Sequence, residues 1–131
     1  MAKATCEISI VPGTNIVRSD PHGSWEPEDA RKNREDILKL AEKFGSEKWG
    51  FMGLIVNMDP IVNSKTSEEF SKFHDEFEKE RCAAMAFIVG KKVAIKAQAQ
   101  RHHDTSTAQK VAVGHFHNEE KALEWLKSFG L

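Results

Sequence analysis

A chain of 131 residues with 40% hydrophobic and 30% charged positions holds enough apolar side chain for one packed domain and too much for disorder. Nineteen Lys and Arg against twenty Asp and Glu give a net charge of -1, which excludes a broad electrostatic attraction to nucleic acid or anionic lipid. The longest apolar run, "CAAMAFIVG" from Cys82, is too short to cross a bilayer, and the first twenty residues lack the basic and apolar regions of a secretory signal.

The first predicted element is a hairpin. In "ATCEISIVPGTNIVRSD", Cys6, Ile8 and Ile10 alternate with polar neighbours at the strand period, and Pro12-Gly13 supplies the turn. "SDPHGSW" breaks that pattern. Ser24 is placed to cap a helix with Pro27 in its first turn. Ala30, Ile37, Leu38, Ala41 and Phe44 then recur at three- and four-residue steps until Gly45 stops the helix. "GFMGLIVNM" from Gly50 is almost continuously apolar, as in a central strand covered on both faces.

A loop and a second helix follow, with Thr66 and Glu69 at capping-box spacing and Phe70, Phe73 and Phe77 on one stripe. "RCAAMAFIVG" reads as the next central strand. "KKVAIKAQAQRHHD" alternates like a strand, but Ala, Gln and Lys are helix formers, and that composition predicts a helix over 93–100. "KVAVGHF" is a third apolar strand. "NEEKALEWLKSFG", capped by Asn118, is a closing helix with Ala122, Leu123, Leu126 and Phe129 as its buried stripe. The order β-β-α-β-α-β-α-β-α predicts one α/β domain over 1–131, a mixed, mostly parallel five-stranded sheet covered by about four helices.

With that order, the chain resembles the SpoIIAA-like branch of the STAS fold, also described as STAS/SEC14-like, over nearly its whole length. "GLIVNMD", "AAMAFIVGKK" and "VGHFHNEEKALEWL" carry the resemblance. The last stretch matches the family's terminal pattern through Phe116, Asn118 to Glu120, Ala122, Leu123, Trp125 and Leu126. The resemblance implies either a regulatory protein-binding module, like the anti-sigma-factor antagonists, or association with an apolar ligand or membrane, as in SEC14-type domains. Antagonists are switched by phosphorylation of a Ser in an Asp-Ser-Ser-Gly motif after the central strand. Here Asp59 matches, but Pro60, Ile61 and Val62 follow it, and Ser64, Thr66 and Ser67 lie nearby out of register.

The chemistry-bearing residues give no strong catalytic pattern. His115 and His117 share a strand face, and His102, His103 and Asp104 precede them as further metal-ligand candidates, but no ligand motif of standard spacing is present. The expectation is two solvated histidines flanking Phe116 and a surface loop at "RHHDTST". Cys6 and Cys82 are expected as buried, reduced thiols in a cytoplasmic protein. "VGKKV" lacks the glycines and hydroxyl of a phosphate loop, and no cofactor is expected.

Three functional expectations follow. The first is a non-enzymatic domain binding a lipid or other apolar small molecule, with peripheral membrane contact. Trp25, Trp49, Phe70, Phe73 and Phe77 would line the site, and Lys91 and Lys92 would meet an anionic head group. The second is a regulatory module whose protein partner meets the loop bearing Asp59, Ser64, Thr66 and Ser67. The third is a histidine-based, metal-dependent enzyme. An acidic second helix and a basic 91–103 stretch also admit pairing of two copies as a homodimer.

Overall fold

The computed structural model describes residues 3–90, 93–105 and 110–131. Strands β1 (Thr5–Ile10) and β2 (Ile16–His22) form the predicted antiparallel hairpin, with Ile10 opposite Val17 and Thr5 opposite His22. Gly13 takes a φ of 76° in the turn, which a residue without Cβ adopts freely. Strands β3 (Trp49–Gly53), β4 (Cys82–Ile88) and β5 (Ala112–Phe116) then add in parallel, giving the spatial order β1-β2-β3-β4-β5. The helices are α1 (Pro27–Ala41), α2 (Ser64–Lys79), α3 (Val93–Thr105) and α4 (Glu119–Lys127). Fold class and element order are those the sequence predicts.

Strand alternation divides the core in two. Val17, Phe51, Met85 and Phe87 face a layer built from α1, α2 and α3, while Ile16, Met52, Ala84 and Ala86 face α4. Pairing between β3 and β4 slips after Trp49, whose partner is Cys82, whereas Gly50 pairs with Ala84. The extra residue lets Cys82 and Met85 face the same layer. Arg18 on β2 fastens the α4 side through a bidentate pair with Glu119 at 2.9 and 2.8 Å.

Several local expectations are corrected. The N-cap of α1 is Glu26, whose N–H donates to Asp29 at 2.9 Å, because Pro27 fits the first helical position. Ser24 instead donates to Asp59 at 2.6 Å. Asn63, not Thr66, caps α2 by accepting from the Lys65 N–H at 2.8 Å. Strand β3 ends at Gly53, and the chain turns through a 3-10 segment, Ile55–Asn57. "RHHD" is not a surface loop: helix α3 continues through it to Thr105 and buries His102. Cys6 is only half-buried, while Cys82 is buried, and both thiols are free.

The seam between α1 and α2 is closed by Arg34, only 6% exposed. Its guanidinium donates to the Glu69 carbonyl at 3.0 Å and pairs with the Glu69 and Glu76 carboxylates, each at 3.1 Å. It also lies 5.9 Å from the Phe73 ring centroid. Removing one partner of a buried pair strands the others. Arg34→Ala is therefore expected to cost about 3 kcal/mol of stability, measured as a lower urea midpoint with an unchanged denaturant slope.

Candidate functional site

The parallel strands deliver their carboxyl ends to one edge of the sheet, where open α/β sheets place binding sites. The chain leaving β3 crosses this edge as the loop from Asp59 to Asn63, and hydrogen bonds hold both its flanks. The Asp59 N–H donates to the Gly23 carbonyl at 2.9 Å, and its carboxylate accepts from Ser24. Further along, Gln98 of α3 grips both sides of one residue: its Oε1 accepts from the Ile61 N–H at 3.1 Å, and its Nε2 donates to the Ile61 carbonyl at 2.8 Å. Between the grip and the Asn63 cap stands Val62, 97% exposed, the exposed large hydrophobic residue among the described residues.

Behind this loop lies a mainly apolar cavity of about 50 Å³. Phe51 and Phe87 rise into it from the sheet, and Phe70, Phe73 and His74 wall it from α2. Helix α3 roofs it with Ile95, Ala99 and His102, while Met58 and Ile61 form the rim.

His74 is 2% exposed, and neither ring nitrogen meets a hydrogen-bond partner. Its ring stacks on His103 at 5.4 Å and approaches Phe87 at 5.8 Å. Burial, then the charges of His103 and His102, lower its pKa to about 4; the Phe70 carbonyl opposes this without reaching hydrogen-bond geometry. His102 stacks on Phe70 at 5.7 Å and is also lowered to about 4, by burial and then by Arg101. His115 is half-buried rather than solvated: it stacks on Phe87 at 6.0 Å, and burial is the main cause of its lowered pKa.

The His117 Nδ1 lies 2.8 Å from the Gly90 carbonyl, while His115 turns to Phe87. Among the described residues, no group of three or more His, Cys, Asp or Glu is placed to hold a metal. Burial pushes both cysteine thiols up, away from the reactive thiolate form.

Of the expected lining residues, Phe70 and Phe73 reach the cavity. Trp25 packs beside Phe70 at 6.0 Å, donating its indole N–H to the His22 carbonyl. Trp49 and Phe77 meet at 5.3 Å deeper in the core. Lys91 and Lys92 lie outside the described residues. The three hydroxyls expected on the loop stand instead in the first turn of α2: Ser64 is exposed, Ser67 is half-buried, and Thr66 is buried with its hydroxyl on the Trp25 carbonyl at 3.4 Å. Sequence reasoning missed His74, although positions 70, 73, 74 and 77 form one helical stripe. It also missed Gln98, whose role depends on a residue 37 positions away.

Three crossover helices on one sheet face, a fourth on the other and a loop leaving the central strand define a SpoIIAA-like fold. The chain superposes on an uncharacterized protein of the DUF3478 family with a SpoIIAA-like fold, from Shewanella loihica, with a TM-score of 0.65, 16% identity and coverage of 96% of this chain and 97% of that one. It also matches a chain of the complex between diguanylate cyclase SiaD and its activator SiaC from Pseudomonas aeruginosa, with a TM-score of 0.55, 12% identity and coverage of 88% and 95%. No family model and no curated protein matches the sequence. Among the described residues, no helix is long and apolar enough to cross a membrane.

The buried histidines set a pH dependence. An unfolded histidine takes up its proton near pH 6.5, while His74 and His102 in the fold remain neutral to about pH 4. The unfolded state therefore binds more protons between these limits, and stability falls as pH falls through that window. Each histidine is expected to cost about 2 kcal/mol on going from pH 7.5 to pH 5. Thermal melts across that range should show His74→Phe losing roughly half of the wild-type decline; an unchanged decline would remove His74 as a cause.

Proposed function

We propose that this chain is a regulatory protein-binding module, without catalysis of its own, that presents the loop 59–63 and the first turn of α2, residues 64–67, to a partner. The observation that carries this reading is Val62, a large apolar side chain held almost wholly in solvent on a loop gripped from both flanks. A fixed loop loses little conformational freedom on binding, and an apolar tip gains most from being covered. The fold-level likeness to a chain of an activator–cyclase complex supports the same reading.

The cavity supports it by its size. About 50 Å³ is far below the roughly 300 Å³ at which drug-sized ligand pockets begin, so this cavity holds no fatty chain without movement of its walls. Two free thiols suit a reducing compartment, and we place the protein in the cytoplasm. Ser64 is the hydroxyl best suited to a phosphate switch. It is exposed at the first position of α2, where the helix terminus favours negative charge.

Affinity capture from extracts of the source cells tests the proposal. Wild-type protein and a Lys39→Asp control, altered on exposed α1 surface, should recover the same partner. Val62→Asp should reduce recovery at least about tenfold, as expected for a central contact, and Gln98→Ala should reduce it less. Equal recovery by Val62→Asp would contradict the proposal.

A further inference from the structure

We infer that the cavity beneath α3 is a binding site for a small, uncharged aromatic molecule carrying one hydroxyl or N–H group, with His74 as its polar anchor. The inference stands independently of the partner-binding reading. It rests on two observations that meet at one place: a void walled by Phe51, Phe70, Phe73 and Phe87, and a buried imidazole on the same wall with both nitrogens unpartnered. Buried polar groups are almost always hydrogen-bonded, so an exception on a cavity wall marks where a partner belongs. A phenylalanine at this position would fill the same stripe without leaving polar atoms unpaired.

The chemistry of the walls selects the ligand. A neutral imidazole offers one donor and one acceptor, which a hydroxyl matches in either sense and an indole N–H matches once. A charged ligand would be stripped of water among phenylalanines with no opposite charge to meet an anion, since the charged residue at the rim is Asp59. That carboxylate is already engaged by Ser24. The aromatic walls favour a ring that packs edge-to-face or offset against them.

Size sets the mode of entry. The cavity, about 50 Å³, exceeds what a water requires but falls short of the roughly 150 Å³ that takes benzene. A ring therefore enters as α3 shifts outward, and that shift loosens the Gln98 grip on Ile61. The ligand and the loop tip are thereby mechanically connected.

Titration of the isotope-labelled full chain with phenol, indole, benzene and benzoate, followed by NMR, tests the inference. Phenol should give saturable shifts of the His74 imidazole and of the Ile95 and Ala99 amides. Benzene should bind about tenfold more weakly, the difference made by one hydrogen bond, and benzoate should give no saturable shift. His74→Phe should erase the difference between phenol and benzene. Ala99→Leu and Ile95→Phe fill the void from the roof and should each abolish binding, and whichever variant keeps the wild-type spectrum outside the cavity suffices. Absence of saturable shifts with phenol and indole up to their solubility would overturn the site. Equal affinity of wild type for phenol and benzene would overturn the role of His74.

Discussion

Arg34 reaches from α1 into its seam with α2, donates to the carbonyl and the carboxylate of Glu69, and sets its charge against the Glu76 carboxylate, with the Phe73 ring close by. Only a planar guanidinium with several donors does this from one side chain, and a lysine would leave part of the set unmet. The position of α2 depends on this contact. From it follow the inward direction of Phe70, Phe73, His74 and Phe77, the walls of the cavity and the start of α2 at Asn63, where the exposed loop ends. The aromatic packing between Phe77, Phe51 and Trp49, at 5.2 to 5.3 Å, locks the other end of α2 against the sheet.

The two faces of the sheet divide the work. The α4 side is tied by Arg18 and Glu119 and filled by Leu126 and Ala122 against small alanines of β4. The opposite side carries the aromatic layer, the void and the buried histidines, and opens toward the carboxyl ends of the strands. Helix α3 belongs to both the void and the loop, because Ala99 roofs one while Gln98 grips the other.

Much of the fold was legible because its signals are periodic. Alternation at Cys6, Ile8 and Ile10 gives the hairpin, and the apolar runs at 50–58 and 82–90 give the central strands. In α3 the alternation of Val93, Ile95, Ala97 and Ala99 pointed to a strand, while helix-forming composition pointed the other way. The helix buries Ile95, Ala99 and His102 at helical spacing and leaves Ala97 exposed. The caps were misread because residue type is a local signal. Ser24 and Thr66 are good caps by type, yet each is engaged by a distant partner, Asp59 and the Trp25 carbonyl. The site was the least legible part. Nothing local distinguishes the phenylalanines that line a void from Phe77 in the solid core, or shows that Gln98 will meet Ile61.

The central claim is that the loop after β3 is held in one shape before any partner arrives. Amide hydrogen exchange at two neighbouring residues reads this directly. The Ile61 N–H, bound by Gln98, should exchange far more slowly than an unstructured peptide, while the Val62 N–H, one residue on, exchanges freely. Fast exchange at both positions would mean that the loop is not fixed, and the account of it as a preformed recognition element would fail.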